Sequence, residues 1–341
     1  MSQSVQPNSG KSAAAGGAGN KEKLIAILGP TASGKTALSV ELAKALHTEI
    51  ISGDSMLVYK GFDIGSAKPT LAERQGVKHH LIDICEPAET YSVPLFQQQA
   101  EAIIHELNGR GKIPILAGGT GLYSKALLEN YQFNETGTHA DFRQKMTALA
   151  EKEGLEAVFA LLQQENPQAA ALVDAKNPRR VIRALELAHF GETISREKSF
   201  AEHAEGEESA EDLQKNLFYD AFVIGLSWER EALYERINRR VDIMFASGLE
   251  EEVRGLLASG VTRSMPAMKG IGYKETAAYL AGEMTRAEAV ETIKRGTRRF
   301  AKRQLTWYRK MKYIHWYEPA AQSADELLHR ILHDMAGFLE R

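Results

Sequence analysis

Short apolar runs, each followed by a polar or glycine-rich turn, recur along the first part of the chain. The run at 23–28 (KLIAIL) is of the kind that a buried parallel strand needs, and apolar positions at helical spacing follow at 37–46. Further strand candidates are 48–51 (TEII) and 112–116 (KIPIL), and the latter leads into GGTGLY and a helix at 121–128. Repeated strand–turn–helix units predict an open α/β fold whose ligands bind at the carboxyl ends of the strands.

The hydrophobic pattern changes in the middle of the chain. Between residues 131 and 219 strand-like runs largely disappear and helical patterns dominate, as at 141–164 and 178–190. Within this span, residues 201–212 (AEHAEGEESAED) are acidic and low in complexity, which is typical of a mobile loop. We therefore predict a mostly helical insertion domain at 131–219.

The α/β pattern returns after the insertion. Residues 221–226 (AFVIGL) form another apolar run, and helical patterns follow at 229–259 and 285–312. The predicted α/β core therefore consists of two segments, 21–130 and 220–320, and a C-terminal helix is expected at 321–341.

Composition adds expectations about the compartment. Residues 1–20 contain 12 Ser, Gly or Ala and no apolar stretch, so we interpret them as a disordered tail without targeting features. No run approaches the roughly 18 apolar residues of a membrane helix. A single cysteine, Cys85, excludes an internal disulfide and any cysteine-based zinc site within the chain. A cytoplasmic protein without membrane association is expected.

A phosphate-binding motif follows the first strand. Residues 29–36 read GPTASGKT, a full match to the Walker A pattern, with an apolar strand before it and a helix after it. The fold class is therefore a P-loop NTPase-like parallel-sheet core. Lys35 would contact the terminal phosphates, and Thr36 would offer a hydroxyl to Mg²⁺, the one expected cofactor. The predicted diphosphate-binding residues are Gly29, Pro30, Thr31, Ala32, Ser33, Gly34, Lys35 and Thr36.

Two features bear on whose phosphates the loop binds. Asp54 follows the second strand, where it would lie near the phosphates and near whatever attacks them, although aspartate is also common in ordinary turns. A kinase or ATPase usually has a strand that ends in a Walker B aspartate. The strand at 112–116 ends instead in Ala117-Gly118-Gly119-Thr120, which weakens ordinary ATP hydrolysis as the function.

Positive charge is concentrated near the C-terminus of a chain whose net charge is −3. Residues 294–312 carry nine Lys or Arg and no acid, so the rest of the chain is near −12 (−3 minus 9). On a helical projection most of these cations share one face, and an apolar face, expected to pack on the protein, lies opposite. A row of cations on a rigid helix suits an RNA backbone, although a solvated charged face is the ordinary alternative. The apolar face consists of Ile293, Phe300, Trp307, Tyr308 and Met311.

Together these segments resemble the tRNA dimethylallyltransferase (tRNA isopentenyltransferase) family, from about residue 23 to 317. Nine blocks occur in the family's order, and the chain ends without the zinc-finger extension of many eukaryotic members. The blocks are GPTASGKT (29–36), DSMLVYKGFDIGSAKP (54–69), HHLIDICEP (79–87), YSVPLFQ (91–97), GGTGLYSKALL (118–128), NPRRVIRALE (177–186), ERINRRVDIMFASGLEEEV (235–253), GIGYKE (270–275) and RRFAKRQLTWYRK (298–310).

The resemblance implies a reaction and roles for individual residues. The dimethylallyl group of dimethylallyl diphosphate would move to N6 of the adenosine next to the anticodon, with Asp54 as general base. Arg240, Lys35 and Thr36 would hold the donor diphosphate with Mg²⁺. The implied tRNA contacts are Asp54, Ser55, Met56, Leu57, Thr120, Arg143, Arg179, Arg180, Val181, Ile182, Arg183, Lys269, Gly270, Gly272, Tyr273, Lys274, Arg299 and the segment from Lys302 to Arg309, which includes Arg303.

Three alternative functions remain at this point. One is an adenylate isopentenyltransferase with AMP as acceptor, which would have no use for the insertion or for the basic helix. Another is a small-metabolite P-loop kinase, and a third is a non-catalytic nucleic-acid-binding ATPase. The expected partners are the anticodon stem-loop of tRNA and the prenyl donor, and a monomer is expected to bind them.

Overall fold

The computed structural model describes residues 21–131, 133, 139–191 and 210–341. The predicted tail, 1–20, and most of the acidic segment predicted to be a loop, 201–212, lie outside these ranges. The chain divides into two compact units, one formed by Met1–Leu128 with Glu208–Arg341 and the other by Glu129–Glu207. No helix in the described part of the chain is both long and apolar enough to pass through a lipid bilayer.

The first unit begins with alternating strands and helices. In chain order they are β1 (Lys23–Leu28), α1 (Lys35–Ala45), β2 (Ile50–Ser52), α2 (Leu71–Arg74), β3 (His79–His80), α3 (Val93–Gly109), β4 (Ile115–Gly118) and α4 (Gly121–Leu128).

The second unit is helical in its described part. It contains α5 (Ala140–Glu153), α6 (Leu155–Glu165), α7 (Pro167–Leu172) and α8 (Pro178–His189). Val158, Leu162, Val181 and Leu185 form the centre of its own small apolar core. Asn166 and Asn177 cap α7 and α8 with their side chains, and a proline occupies the first turn of both helices, as expected of helix starts.

The chain then completes the first unit. The elements are α9 (Ala210–Lys215), β5 (Asp220–Leu226), α10 (Arg230–Ala246), α11 (Leu249–Ala258), a short 3₁₀ turn (Ala267–Lys269), α12 (Tyr273–Leu280), α13 (Arg286–Tyr308), β6 (His315–Tyr317), a second 3₁₀ turn (Pro319–Ala321), α14 (Ala324–Asp334) and α15 (Ala336–Glu340).

The six strands form one sheet in the order β3-β2-β4-β1-β5-β6, and every pair is parallel. The predicted α/β fold with a P-loop-like parallel core is confirmed. Side chains alternate between the two faces of the sheet, as the pleat requires. Leu24, Ala26 and Leu28 of β1 join one apolar core, whereas Ile25 and Ile27 join the core on the other face, which α14 and α15 help to cover.

Several predicted boundaries are wrong for local reasons. The helix predicted at 229–259 is two helices, because Gly248 adopts φ +98° between them. The helix predicted at 141–164 likewise breaks at Gly154, with φ +91°. Residues 210–219 were assigned to the insertion, but Leu213, Leu217 and Tyr219 are buried in the core of the first unit.

The predicted basic helix and its apolar face also need correction. It was expected at 285–312 and ends at Tyr308, so three of the nine cations lie beyond it. Ile293, Tyr308 and Met311 are buried as predicted, whereas Phe300 is only half-buried. Trp307 was placed on the buried face but is 37% exposed.

Candidate active site at the carboxyl edge of the sheet

Four loops meet where parallel strands of the first unit end. Gly29–Gly34 follows β1, Gly53 and Asp54 follow β2, Gly119 and Thr120 follow β4, and Trp228 follows β5. The backbone N–H of Gly53 donates to Ala117 O at 2.9 Å and that of Thr120 donates to Gly53 O at 3.2 Å, which holds the second and third loops together. The P-loop and Asp54 therefore lie at one edge of one sheet, as the sequence predicted.

The P-loop has the backbone geometry of an anion cradle. Ala32 (φ +64°) and Gly34 (φ +95°) adopt left-handed conformations, which turn the chain tightly between β1 and α1. Gly34 is the N-cap of α1 and brings no side-chain cap, so the helix N–H groups remain available to a ligand. The hydroxyl of Ser33 is buried and has no hydrogen-bond partner among the described residues.

Lys35 is a partly buried lysine at the end of the loop. Its Nζ donates to the backbone carbonyl of Pro30 at 2.7 Å. Burial lowers the pKa of Lys35 to about 7, the nearby Asp54 carboxylate opposes this shift, and the Arg240 charge adds to it. An anionic ligand beside Lys35 would restore the charged form.

Arg240 is the second cation of the cradle. It lies on α10, and its Nη1 is 3.5 Å from the hydroxyl of Thr31, so the contact is at the long limit of a hydrogen bond. Burial lowers the pKa of Arg240 from its ordinary value, and the charge of Asp54 opposes the shift. Lys35 and Arg240 thus share Asp54 as a nearby anion, which leaves positive charge for a diphosphate to neutralise.

Asp54 is oriented by its own loop. Its Oδ1 accepts from the backbone N–H of Met56 at 2.9 Å. The backbone N–H of Ser55 donates to Thr120 Oγ1 at 3.0 Å, and the Thr120 hydroxyl in turn lies 3.3 Å from Ser55 Oγ. Ser55 and Thr120, which the resemblance assigns to tRNA binding together with Asp54, are thus hydrogen-bonded to each other directly after Asp54, and Leu57 is half-buried in the same loop.

The glycines after β4 are required by close packing. A Cβ on Gly118 would lie 2.3 Å from the carbonyl oxygen of Gly53, and one on Gly119 would lie 2.7 Å from Gln304 Nε2. One on Gly121 would lie 2.4 Å from the indole of Trp307. The loop is therefore pressed between β2 and helix α13.

Gln304 ties α13 to two loops of the site. It is buried, and its Oε1 accepts from the backbone N–H of Thr31 in the P-loop at 2.9 Å. Its Nε2 donates to Gly119 O at 2.7 Å. One amide thereby joins the P-loop, the turn after β4 and the helix that carries the predicted RNA-binding cations.

The segment 269–274 packs against the Asp54 loop. A Cβ on Gly270 would lie 2.6 Å from Met56 Cε, so these two predicted tRNA contacts touch each other. Tyr273 was also assigned to tRNA, but its side chain is fully buried and its hydroxyl donates to Glu252 Oε1 at 2.7 Å. The prediction that the Tyr273 side chain contacts RNA directly is therefore wrong.

Glu252 holds the loop that follows Asp54. Its carboxylate accepts from the backbone N–H groups of Asp63, Ile64 and Gly65 at 3.1, 2.7 and 3.3 Å. Tyr273 packs directly on Gly65 and accepts from the Ser66 N–H at 3.1 Å. Gly272 is buried as well, with φ +101°, so its role in this segment is to shape the backbone.

Exposed cations remain along these elements. Arg299, Lys302 and Arg303 are exposed on α13, and Lys269 and Lys274 are exposed next to the Asp54 loop. Two cations of the basic stretch are engaged instead. Lys294 pairs with Asp242 at 2.7 Å, and Arg298 Nη1 donates to Asn238 Oδ1 at 2.6 Å.

Predicted RNA contacts of the second unit divide into exposed and internal residues. Arg179 and Arg180 are exposed at the start of α8. Val181 and Ile182 are buried in the core of this unit, so the expectation that they contact RNA through their side chains is wrong.

Arg143 and Arg183 converge on one buried carboxylate. Arg143 Nε and Arg183 Nη1 each donate to Glu186 Oε2 at 2.7 Å, and the backbone N–H of His139 donates to Oε1 at 2.9 Å. Burial would raise the pKa of Glu186, but hydrogen bonds from Arg183 and Arg143 outweigh it and hold the pKa below its usual value. Both arginines are partly exposed, so they can still face a phosphate while paired.

Three residues were not predicted to contact the P-loop. Besides Gln304, Trp228 Nε1 donates to Ser33 O at 2.9 Å, and Arg236 Nε donates to Ala32 O at 2.9 Å. Each comes from a segment far along the chain. The available signals were weak: an uncharged glutamine within a cationic helix, and a second arginine one helical turn before Arg240.

The donor atoms at this edge fit a magnesium ion that arrives with phosphates. No three acidic, histidine or cysteine side chains gather into a metal cage within the described ranges. Mg²⁺ does not need such a cage, because it retains waters and binds through one or two protein oxygens together with substrate phosphates. Thr36, exposed at the start of α1, and Asp54 are the oxygen donors available for it.

Comparisons with known proteins agree over nearly the whole chain. A family profile described as IPP transferase matches residues 57–311, and one described as isopentenyl transferase matches residues 22–87. A tRNA dimethylallyltransferase of Exiguobacterium sp. is 44% identical over 321 residues, which cover 94% of this chain and 98% of that protein. One from Bacillus subtilis is 44% identical over 322 residues, with the same coverage.

Solved structures give the same result. The full-length tRNA isopentenylpyrophosphate transferase from Bacillus halodurans aligns with a TM-score of 0.69 and 43% identity, over 94% of this chain and 97% of that chain. A eukaryotic dimethylallyltransferase, described as acting on tRNA, aligns with a TM-score of 0.73 and 26% identity, over 94% of this chain and 80% of that chain.

Proposed function

Because the chain belongs to the tRNA dimethylallyltransferase (IPP transferase) family, we propose that it transfers the dimethylallyl group of dimethylallyl diphosphate to N6 of the adenosine adjacent to the anticodon in tRNA. Diphosphate is the second product. The observation that carries this proposal is that a diphosphate cradle and an oriented carboxylate, Asp54, share one edge of the sheet.

Asp54 acts as the general base. The exocyclic amino group of adenine is a weak nucleophile, because its lone pair is delocalised into the ring. Asp54 accepts the N6 proton as the new C–N bond forms, and the Met56 N–H fixes the carboxylate so that one oxygen faces the acceptor. A base positioned in this way contributes about 10²–10⁴-fold to the rate.

The P-loop stabilises the leaving group. Negative charge grows on the diphosphate as its bond to the prenyl carbon breaks, and pre-oriented N–H groups and cations lower the energy of that charge. The P-loop amides, Lys35 and Arg240 supply these interactions from β1, α1 and α10. Magnesium, held through Thr36 and the phosphates, would supply further neutralisation of the same charge.

The tRNA approaches along exposed cations. In the first unit these exposed cations lie next to the Asp54 loop (Lys269 and Lys274) and on α13 (Arg299, Lys302 and Arg303). Phosphate contacts dominate the affinity of such surfaces for RNA. An adenine must leave its stack to reach Asp54, so we propose that the anticodon loop binds with its target base flipped. We propose that a monomer carries out the reaction.

A substrate experiment separates tRNA from the alternative acceptor. The chain is incubated with labelled dimethylallyl diphosphate and either tRNA or AMP, and the nucleosides are analysed. We expect label in tRNA and none in AMP, since the exposed cations match a polynucleotide. Label in AMP alone, or phosphate transfer from ATP, would contradict the proposal.

A substitution tests the base. Asp54→Ala is expected to lower single-turnover transfer about 10²–10⁴-fold while tRNA binding is retained. Asp325→Ala, an exposed aspartate on α14, is the matched control and should leave transfer unchanged. Undiminished transfer by Asp54→Ala would refute the role of Asp54.

A further inference from the structure

A second arginine contacts the P-loop. Arg236 precedes Arg240 by one turn of α10, and its Nε donates to Ala32 O at 2.9 Å. Its guanidinium lies over the indole of Trp228, with Cζ 4.2 Å from the ring centroid. This stacking holds a guanidinium in one orientation at little further entropic cost.

Trp228 also acts on the loop directly. Its Nε1 donates to Ser33 O at 2.9 Å. In a trans peptide the carbonyl of one residue and the N–H of the next point in opposite directions. The bond to Ser33 O therefore directs the Gly34 N–H away from Trp228.

Only part of the Arg236 guanidinium is used by the protein. A guanidinium has five N–H donors in a planar fork, and Nε–H is the one that Ala32 accepts in the described structure. The side chain is exposed, so the Nη groups remain accessible to a ligand. Arginine forks of this kind bind phosphate oxygens in pairs.

The charges around the loop favour an additional anion contact. Arg236 and Arg240 contact the P-loop at Ala32 and Thr31, and Asp54 is the anion that interacts with Arg240 and with Lys35 of the loop itself. Burial lowers the pKa of Arg240 and the charge of Arg236 adds to the shift, as expected of two like charges one helical turn apart. A diphosphate between them would convert that repulsion into two attractions.

We propose that Arg236, stacked on Trp228, is a second arginine that binds the donor diphosphate, together with Arg240. This inference rests on the proposed function, because it takes the prenyl diphosphate as the ligand. It assigns Arg236 two tasks: Nε holds the P-loop at Ala32, and the Nη fork binds phosphate oxygens.

Calorimetric titration of the full chain with inorganic diphosphate and Mg²⁺ tests the assignment. Charge-assisted hydrogen bonds contribute about 1.5–3 kcal/mol, so Arg236→Gln should weaken diphosphate binding by about 10–100-fold. Arg239→Gln is the matched control: it removes the same charge from the neighbouring, exposed position of α10. It should change the affinity less than threefold or so, as expected of screened surface charge.

The glutamine variant also distinguishes a diphosphate-binding role of Arg236 from a purely structural contact with the P-loop. A glutamine amide can still donate to the Ala32 carbonyl, but it has no charge for a phosphate. If Arg236 only braced the loop, Arg236→Gln would bind diphosphate nearly as well as the wild type, and the inference would be overturned. Equal losses in Arg236→Gln and Arg239→Gln would overturn it as well, because they would indicate long-range electrostatics alone.

Two further measurements distinguish a loss of diphosphate binding from misfolding of the variant and from failure of the proposed function. Arg236→Lys keeps the charge but not the fork, and should bind diphosphate with intermediate affinity. In both variants the KM for the donor should rise while tRNA affinity stays unchanged. Failure of the wild type to prenylate tRNA would refute the proposed function, whereas normal wild-type transfer with an unchanged donor KM in Arg236→Gln would refute the inference alone.

Discussion

Two basic side chains of the cradle are partly buried before any ligand arrives. Burial lowers the pKa of both Lys35 and Arg240, and Asp54 offsets this only in part. Desolvation of an incompletely paired charge costs free energy, which binding of an anion recovers. In the proposed reaction Asp54 accepts a proton from the acceptor, so the carboxylate that lies near both donor-binding cations also contacts the adenine.

The pKa of Lys35 leads to a prediction about protons. At pH 8 the donor-free chain holds Lys35 largely neutral, because its pKa is about 7. A bound diphosphate favours the charged form, so binding at pH 8 should take up protons and donor affinity should fall as the pH rises above 7. Calorimetry in buffers of different ionisation enthalpy measures this uptake.

The control for this prediction is Lys35→Met, which should show less proton uptake than the wild type under the same conditions. An identical buffer dependence in both proteins would contradict it. A stability measurement has a defined sign as well. The unfolded lysine binds its proton more tightly than the folded one, so Lys35 makes the donor-free protein more stable as the pH rises from about 7 to 10.5.

Contacts that could be predicted from the sequence are made by residues close together in the chain, whereas those that could not are made by residues far apart. The P-loop is contiguous, so glycine spacing and the flanking apolar runs were enough to locate Gly29 to Thr36. Gln304 and Trp228 bind P-loop atoms that are 273 and 195 positions away in the chain. Such contacts depend on the tertiary fold, and local patterns indicate them weakly at best.

At the scale of elements, α13 contacts the proposed donor site on one side and carries the proposed RNA-binding cations on the other. Its inner side places Gln304, Trp307 and Tyr308 against the glycine turn after β4, and Tyr308 Oη is 3.5 Å from Gly118 O. Its outer side carries Arg299, Lys302 and Arg303. One rigid helix thus contacts the donor loop on one side and offers phosphate-binding groups on the other.

Removal of the Gln304 amide should therefore loosen the donor site. Gln304→Leu leaves the Thr31 N–H and the Gly119 carbonyl without their partner, and each unsatisfied buried group costs about 1–3 kcal/mol. We expect a lower melting temperature and a raised KM for the donor, with tRNA affinity retained. Thermal unfolding and steady-state kinetics measure both effects.

Thr306→Ala, on the exposed side of the same helix, is the control and should change neither the melting temperature nor the donor KM appreciably. Gln304→Glu keeps an acceptor for the Thr31 N–H but loses the donor to Gly119, so its donor KM should lie between wild type and Gln304→Leu. A wild-type KM in Gln304→Leu would refute the coupling.

Element boundaries were predictable where a chemical signal marks them. β1 was predicted at 23–28 and is observed there, because an apolar run ends abruptly at the P-loop glycine. The helices around Gly154 and Gly248 were predicted as continuous, since apolar spacing persists across both glycines. Each helix breaks at a positive φ, which glycine permits and which apolar spacing does not indicate.

On the scale of the whole molecule, charge is separated along the chain. The net charge is −3, yet nine cations without an acid fall within 294–312. The structure divides these cations further. Lys294 and Arg298 are bound to Asp242 and Asn238, so they contribute to stability, whereas Arg299, Lys302 and Arg303 are exposed. The charge count therefore overstates the number of groups that an RNA can bind.

This division predicts which substitutions change the salt dependence of RNA binding. Each lost phosphate contact lowers the slope of log affinity against log salt by about 0.7–0.9. Arg299→Ala combined with Arg303→Ala should therefore weaken tRNA binding and flatten the slope by about 1.4–1.8. Arg330→Ala combined with Arg341→Ala removes the same charge from exposed positions near the C-terminus and should leave the slope unchanged. Equal slopes for the wild type and the α13 variant would show that RNA binds elsewhere.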